Sequence, residues 1–577
     1  MSDLHDDRLD EEQQAAVDSG QKAIAVLAGP GSGKTRALSY RARRLLLDRP
    51  GSRVLALTFT NKAAAEMKAR ALGLTAVASE RLRAGTFHGF GVEFLRGHGT
   101  ECSIEQDFEI IDADEAKEVA RVAAAAAGVS DRLSAWQFAR MRCLTPNDAT
   151  VAFGEAYEAA KRSEGVVDFD DLVVYPGTIL SNNRELAAAY GARYPHLLVD
   201  EFQDTNAAQF RIVTALCPHV ETVSVFADDD QAIFRFVGAE SENIVRFVDE
   251  LEAVVYPLTC NYRCRQEIVR RANLLMSADP RPSGRVMRAD KSGGSVTLRS
   301  FASIEAEAAA LAQEIGDRIE DGTSRPADVA VLVRSGYRAR EIVEALRRRA
   351  LPVSDWRGDT YQLAERRIFV TAMSAVRGKL TDRQAARLCD LMSVEVPDER
   401  ATDKLLEALS PHPVADELLT LRRMAFEGES PSSIARQAQL AVAASQPTAA
   451  ARLGPLVQAV ADFETHDTTF SLDDLLADLV LGAGGRPPTT GGGIKVATLH
   501  KTKGLEWPVV YILGLEEGHM PDFQNLDADK LPEERRLCFV GVCRAESELN
   551  LTFAARFRTH RRTPSRFLRE MHLMDGT

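Results

Sequence analysis

Lys22-Ala23-Ile24-Ala25-Val26-Leu27-Ala28-Gly29 runs directly into Pro30-Gly31-Ser32-Gly33-Lys34-Thr35, and the reading of this stretch decides the fold. The first half is a short, continuous apolar run, the pattern of a strand buried on both faces of a parallel sheet. The second half is a glycine-rich loop closing on Gly-Lys-Thr, the signature of a phosphate-binding loop. A helical stretch, Thr35 to Asp48, follows. Strand before and helix after are the context that the signature requires. Glycines let backbone N–H groups approach phosphates, and the helix N-terminus adds a favourable dipole. Gly29, Gly31, Ser32 and Gly33 are therefore expected around the phosphates. Lys34 is expected to neutralise β/γ-phosphate charge, and the Thr35 hydroxyl to bind Mg2+.

Further apolar runs lie outward from this stretch. Val54–Phe59, His196–Glu201 and Thr222–Ala227 read as strands of the same sheet. A second set comes much later, at Val329–Val333, Ile494–His500, Val509–Leu515 and Leu549–Ala554. Two separated sets of buried strands predict two α/β lobes. Between the strands of each lobe lies a long helical stretch. Asp112 and Glu115 have capping-box spacing before an Ala-rich run that stops near Gly128. The stretch Asp107 to Tyr194 reads as mostly helical. So does Arg377 to Gly485, which ends in Gly482–Gly493, a flexible linker by composition. Strands on both sides of each helical stretch favour inserts over separate domains in series. The expected class is α/β, two P-loop lobes with parallel sheets, each interrupted by a mostly helical insert. Residues 1–107 and 195–257 are assigned to the first lobe and 108–194 to its insert. Residues 258–376 and 490–577 are assigned to the second lobe and 377–489 to its reduced insert.

The whole-chain numbers exclude several classes. The chain has 577 residues, 71 Lys plus Arg against 84 Asp plus Glu, and a formal net charge of −13. About three to five domains are expected at this length. Hydrophobic residues at 45% and charged residues at 27% exclude wholesale disorder and collagen. No apolar run approaches the ~18 residues of a membrane span, and Met1 to Gln14 is acidic and polar, unlike a signal peptide. A cytoplasmic protein without membrane contact is expected. Eight Cys are too sparse for a disulfide scaffold. The nearest pair, Cys260 and Cys264, has no second pair at zinc spacing and reads as packing. The negative sum argues against a protein coated in base but leaves room for a local basic track.

A phosphate loop alone does not separate a kinase from an ATPase. The strand ending Leu198-Val199-Asp200-Glu201 bears on this. Asp200, at a strand's C-terminal end, suits Mg2+. Glu201 beside it suits polarising an attacking water. A kinase transferring to a hydroxyl gains nothing from such a carboxylate, so hydrolysis is expected.

More segments follow in order along the chain. They are Leu9-Asp10-Glu11-Glu12-Gln13, Thr58-Phe59-Thr60-Asn61-Lys62-Ala63-Ala64, Thr86-Phe87-His88 and Asp168-Phe169-Asp170-Asp171-Leu172. Val199 to Thr205 (VDEFQDT) comes next, then Asp228-Asp229-Asp230-Gln231 with Ile233-Phe234, and Asn261-Tyr262-Arg263. The last are Thr498-Leu499-His500 through Lys503-Gly504-Leu505-Glu506, and Glu534-Arg535-Arg536-Leu537 through Cys543-Arg544-Ala545. Taken in this order, the series resembles the UvrD/Rep/PcrA-like branch of superfamily 1 DNA helicases. The resemblance implies two RecA-like lobes with helical inserts, hydrolysis of ATP with Mg2+, and 3′→5′ movement on single-stranded DNA. It implies that Gln13 reads adenine, that Arg36 belongs to the nucleotide site, and that Tyr262 stacks adenine. It further implies that Gln231 senses γ-phosphate, that Arg263 and Arg544 reach it, and that Glu506 contacts ribose. A DNA track over Phe59, Asn61, Lys62, Thr86, Phe87, His88, Phe234, Phe236, Thr498 and His500 is implied as well. The expected partners are single-stranded DNA, single/double-strand junctions, and proteins of DNA repair or phage defence.

Residue chemistry agrees with these roles. Guanidinium groups stay charged and fork onto phosphate oxygens, which suits a loose phosphoryl-transfer transition state. Base stacking on aromatic faces is worth about 1–3 kcal/mol per base and carries no sequence code. For Phe59 and Phe87, beside apolar runs, core packing is the competing reading. Arg556, Arg558, Arg561, Arg562, Arg566 and Arg569 form a basic cluster, either a solvated face or a nucleic-acid or partner contact.

Some positions depart from the family pattern. Phe236 and Val237 stand where the family commonly has tryptophan and arginine, and Cys543 stands where it has threonine. The second insert is short and lacks a glycine-rich duplex-contacting signature. These departures bear on unwinding more than on ATP hydrolysis. A helicase or translocase is the leading expectation. A DNA-stimulated ATPase that displaces proteins, or serves in a larger complex with weak unwinding alone, is the second. A non-catalytic scaffold is disfavoured by the full catalytic set, and no fused nuclease is expected after the last motif.

Overall fold

The computed structural model describes residues 9–49, 51–73, 79–106, 108–233, 242–279, 285–354, 492–527, 530–557 and 560–574, with scattered residues between 420 and 461. The first sheet has six parallel strands. Across the sheet they run Leu82–Thr86, Val54–Thr58, His196–Val199, Thr222–Ala227, Ala23–Ala28 and Val254–Leu258. Ala23–Ala28 is buried along its whole length and pairs on both sides, Ala23 with Val223 and Ile24 with Val254. Its alternate residues serve different cores, as the two-residue side-chain period of a strand demands. Ile24, Val26 and Ala28 join Leu38, Leu45 and Leu46 of the helix Lys34–Asp48 on one face. Ala25 and Leu27 join Phe87, Phe90 and Phe94 on the other.

The second sheet repeats the plan. Its six parallel strands are ordered Ser295–Phe301, Ala545–Ala554, Trp507–Leu513, Val329–Val333, Ile494–Thr498 and Val353–Ser354. Val329, Val331 and Val333 face the helices Ile304–Glu320 and Gly336–Arg348, while Ala330 and Leu332 face the helix Leu531–Val542.

The expected capping box is formed. Asp112 accepts from the Glu115 amide at 2.9 Å, Glu115 reaches back to the Asp112 amide at 2.8 Å, and the helix Ala113–Ala127 stops at Gly128 with φ 67°. That helix and Asp148–Glu164 build a separate small core around Val119, Phe153 and Tyr157. From Val167 onward the apolar residues join the core of the first sheet instead. Helices Phe87–His98 and Asp171–Asn182 approach so closely that a Cβ on Gly91 would lie 1.7 Å from the Leu172 carbonyl oxygen.

Several strands lacked a sequence signal. Leu82–Thr86 is an edge strand with alternating burial, and its Arg83 and Gly85 interrupt the apolar pattern. Ala545–Ala554 starts ahead of the expected Leu549, because its first residues form a polar strand. The run Ile494–His500 stops being a strand at Thr498 and tightens into a 3-10 turn, Leu499–Thr502. Of the expected second insert, only the helix Pro431–Ser445 and a few flanking residues are described, and most of the glycine linker lies outside the described residues. No helix among the described residues is long and apolar enough to cross a membrane.

Candidate active site

Three adjacent strands end on one edge of the first sheet, where open α/β sheets bind ligands. Ala23–Ala28 delivers the phosphate loop, His196–Val199 delivers Asp200 and Glu201, and Thr222–Ala227 delivers Asp228. The loop's glycines are needed for conformation and for space. Gly31 has φ 69°, and a Cβ there would meet the Arg263 Cβ at 2.6 Å. Gly33 has φ 75°, and its Cβ would meet Gln13 Nε2 at 2.6 Å. Counting back from Gly33-Lys34, the opening glycine of the usual GxxxxGK[ST] spacing is replaced by the buried Ala28, and Gly29 follows it. The Ser32 hydroxyl donates to Gly29 O at 2.6 Å and closes the loop.

Lys34 opens the following helix, and its ammonium lies 2.5 Å from Glu201 Oε1 and 3.2 Å from Asp200 Oδ1. Burial disfavours the charged amine, yet Asp200 and Glu201 outweigh it, so the Lys34 pKa stands above the ordinary lysine value. Burial also works against the Glu201 carboxylate, but Lys34 and Lys503 hold it far below the usual range. Asp200 goes the other way, raised by burial that Lys34 only partly offsets. Glu201 has φ 51°, the left-handed region that a non-glycine residue occupies only under constraint. A helix N-terminus, Lys34 and two carboxylates thus meet at one point, with Thr35 next in the helix. This donor set fits a triphosphate with Mg2+, whose preferred ligands are oxygens.

The residues expected on the adenine side are Gln13, Tyr262 and Arg36. Gln13 is locked by Asp10, which accepts from its amide at 2.7 Å, and it donates to Ser32 O at 2.8 Å. The Tyr262 hydroxyl donates to Asp10, and the Tyr262 amide donates to Gly31 O at 2.9 Å. Arg36 lies over the ring of Tyr40, 5.8 Å from its centroid.

Residues that pack with the second sheet cross to this edge. Arg544 is 1% exposed and donates to Gln231 Oε1 at 3.1 Å. Burial and the neighbouring Arg263 pull its pKa down to about 10, so it remains a cation at neutral pH. Arg263 pairs with the exposed Glu506 and donates to Cys543 O at 3.5 Å. Gln231 Nε2 donates to Asp228 Oδ2 at 2.6 Å. The fold therefore gathers the nucleotide-site candidates from both halves of the chain.

Other residues at this edge carried no role in the sequence reading. Lys503 pairs with Asp204, lies 3.6 Å from Glu201 Oε2, and donates to Gln231 O at 3.1 Å. Asn261 Nδ2 donates to Pro30 O at 2.8 Å. Glu12 accepts from the Thr259 amide at 2.6 Å. All three stand inside or beside quoted segments, but spacing alone does not say which side chain of a loop faces the opposite sheet.

The nucleic-acid candidates divide. Thr58 and Thr86 are register partners, so the segments carrying Phe59 and His88 leave the sheet at the same edge. Phe59 and Asn61 are partly exposed, and Lys62 lies in the helix Asn61–Gly73. Phe87 offers no stacking face; it is 1% exposed and packs in the core with Phe90 and Phe94. Thr86 is buried and caps the helix Phe87–His98, accepting from the Gly89 amide at 2.9 Å. His88 packs edge-on to Phe169. Burial lowers the pKa values of His88 and His500 to about 4, so both are neutral hydrogen-bonding groups at pH 7. Thr498 and His500 stand partly exposed at the end of the strand Ile494–Thr498. Phe234, Phe236 and Val237 lie outside the described residues. In the basic C-terminal cluster, Arg566 is neutralised by Glu517 at 2.7 Å.

Comparison with known proteins agrees with this arrangement. The family model of the UvrD/REP helicase N-terminal domain matches residues 9–141 and 130–252. That of the UvrD-like helicase C-terminal domain matches residues 256–409 and 412–556. The chain is 30% identical to DNA helicase II of Salmonella typhimurium over 98% of its own length and 87% of that protein's. It is 29% identical to DNA helicase II of Escherichia coli, with the same coverage. It is 27% identical to the ATP-dependent DNA helicase PcrA of Staphylococcus aureus, over 98% and 86% of the two lengths. With matches from residue 9 to residue 556 and a phosphate loop facing arginines from the second sheet, the chain belongs to the UvrD/Rep helicase family.

Proposed function

We propose that this chain is an ATP-dependent DNA helicase that couples hydrolysis to 3′→5′ movement on single-stranded DNA and to duplex unwinding. The observation that carries the reading is the Arg544–Gln231–Asp228 chain of hydrogen bonds, which joins the second sheet to the phosphate edge of the first. In this reading residues 1–107 with 195–257, and 258–376 with 490–577, are two ATPase lobes, with inserts at 108–194 and 377–489. Gln13, Tyr262 and Arg36 hold the base, and Glu506 the ribose. Gly29, Gly31, Ser32 and Gly33 cradle the phosphates, while Lys34 neutralises them. Thr35 and Asp200 would hold Mg2+, which would supply further charge neutralisation when bound. Glu201 is ionised and takes the proton of the attacking water. Arg263 and Arg544 set fixed positive charge against the transferring group, so hydrolysis requires that the lobes be closed. Phe59, Asn61, Lys62, His88, Thr498 and His500 carry the strand across both lobes, together with Phe234 and Phe236.

Two measurements test this. Lys34→Ala is expected to lower DNA-stimulated ATP hydrolysis by at least about 10²-fold; wild-type turnover in that variant overturns the site. The wild-type chain is expected to unwind 3′-tailed duplexes and to spare 5′-tailed and blunt ones. ATPase activity without strand separation on any of the three favours the second reading, a DNA-stimulated ATPase that displaces proteins or works in a larger complex. Two sequence features motivate that reading: the short second insert, and Val237 where the family commonly has a cation.

A further inference from the structure

Asp228, Asp229 and Asp230 are all buried, and their carboxylate oxygens can lie within 4.8 Å of one another. Three buried anions so close repel strongly and need a compensating cation. Arg285 supplies it. Its Nη2 lies 2.8 Å from Asp228 Oδ1, 3.2 Å from Asp229 Oδ1 and 3.2 Å from Asp230 Oδ2, and its side chain is 2% exposed. Arg285 does not belong to the first sheet. It stands between the helix Gln266–Ser277 and the strand Arg288–Lys291, and Met287, two residues on, packs with Cys264, Leu275 and Leu549 in the second sheet's core. It also stands beside the phosphate loop, where a Cβ on Gly29 would lie 3.7 Å from Arg285 Nε.

The carboxylate that Arg285 grips with one oxygen orients Gln231 with the other. Asp228 Oδ1 accepts from Arg285, and Asp228 Oδ2 accepts from Gln231 Nε2 at 2.6 Å. Gln231 Oε1 in turn accepts from Arg544. A side-chain amide bonded at both ends has one orientation, and the Asp228 end is fixed by a guanidinium that spans the cleft.

We infer that Arg285 is a positioning residue for hydrolysis, acting through Asp228 to hold Gln231 in register with Arg544. The inference rests on the proposed ATPase reading. It makes Arg285 a third arginine crossing to the phosphate edge, one whose charge is held by three aspartates. Its effect should fall on turnover and spare ATP binding.

The experiment measures DNA-stimulated ATP hydrolysis on the full chain for Arg285→Met, Arg285→Lys, Gln231→Ala and the double variant Arg285→Met/Gln231→Ala. Melting temperatures are recorded for each. Arg285→Met is expected to lower kcat by about 10²-fold with KM for ATP within about threefold. Arg285→Lys keeps the charge but loses the fork, and should recover about tenfold of that loss. The double variant should be no slower than Gln231→Ala alone, because both substitutions break one chain. An unchanged kcat in Arg285→Met, or losses that multiply in the double variant, overturns the inference. If Arg285→Met does not fold, Arg285→Lys with and without Gln231→Ala gives the same discrimination over its smaller range. Failure of the wild-type chain to hydrolyse ATP, or an active Lys34→Ala, would sink the ATPase reading itself. Normal behaviour of both with an inert Arg285 would sink this inference alone.

Discussion

His519 shows how a single residue can report on the whole fold. It is 3% exposed, shares a hydrogen bond with the Tyr337 hydroxyl at 3.0 Å, and stands near Arg338 and Arg334. Burial first, and then those two cations, lower its pKa to about 3 from an ordinary 6.5. The folded state therefore holds His519 neutral where the unfolded chain protonates it. Between pH 6.5 and 3 the unfolded state binds the extra proton, so stability is full above pH 6.5 and is lost as pH falls. The slope from one such group is at most about 1.4 kcal/mol per pH unit. His519→Gln should make the acid-side fall in unfolding free energy shallower by up to that amount, read from urea titrations at pH 7, 6 and 5. An unchanged slope would mean that the imbalance lies at other groups, such as His88 and His500. The same scale shows what the sequence made legible. Lys34, Asp200, Gln231 and Arg544 sit in ordered segments and were named from them. Arg285 sits in none, and only three buried aspartates across the cleft give it meaning.

At the scale of elements, the sequence is clear where one pattern decides and silent where two elements must meet. Ala23–Ala28 was readable because a strand buried on both faces has no polar position to obscure it. The helix Ala113–Ala127 was readable because its capping box and glycine stop are local chemistry. The edge strand Leu82–Thr86 was not, since an edge needs only alternating burial. Nor does helical periodicity tell which core a helix joins. Ala113–Ala127 and Asp148–Glu164 form their own, while Asp171–Asn182 packs against Phe87–His98 under the first sheet. Gly91 marks that last junction. It has ordinary helical geometry, so its role is space alone: the Leu172 carbonyl occupies the volume that a side chain would fill. Gly91→Ala should push the two helices apart and destabilise the fold by about 3 kcal/mol, the upper range for overpacking, because backbone is less yielding than a side-chain tip. The midpoint of urea unfolding measures this. A loss below about 0.5 kcal/mol would mean that the helices separate freely. His88 begins the same helix, so a shift of its axis should also weaken DNA binding at the Phe59–His88 edge.

At the scale of the whole molecule, net charge is the wrong observable for this fold. A chain at −13 still concentrates Arg263, Arg285, Lys503 and Arg544 at one internal edge, where buried aspartates meet Arg285 and Lys503. Lys503 has a particular place among them. It belongs to the loop Thr498–Glu506, which carries the proposed DNA contacts Thr498 and His500, and it reaches Asp204 and Glu201 beside the proposed water-activating site. Burial raises the Asp204 pKa to about 6 even with Lys503 beside it, so a lone Asp204 carboxylate would be poorly tolerated and the pair is built to stay closed. In the proposed reading, Lys503 is one route by which a strand of DNA on the Thr498–Glu506 loop would act on the hydrolysis site. Coupling between two sites is reciprocal for binding: if DNA changes nucleotide affinity by some factor, nucleotide changes DNA affinity by the same factor. Lys503→Met removes the charge and keeps the apolar stem. It should reduce the ratio of DNA-stimulated to basal ATP turnover by about tenfold, equivalent to about 1.4 kcal/mol of activation free energy. In the same variant, the change in single-stranded DNA affinity on adding a non-hydrolysable ATP analogue, followed by fluorescence anisotropy, should shrink toward unity. Basal ATP binding should hold, because Lys34 and the phosphate loop are untouched. If the anisotropy ratio in Lys503→Met equals that of the wild type, communication between the lobes runs through Arg544 and Gln231 alone. Arg285, which fixes that second route, would then be the stronger determinant of coupling.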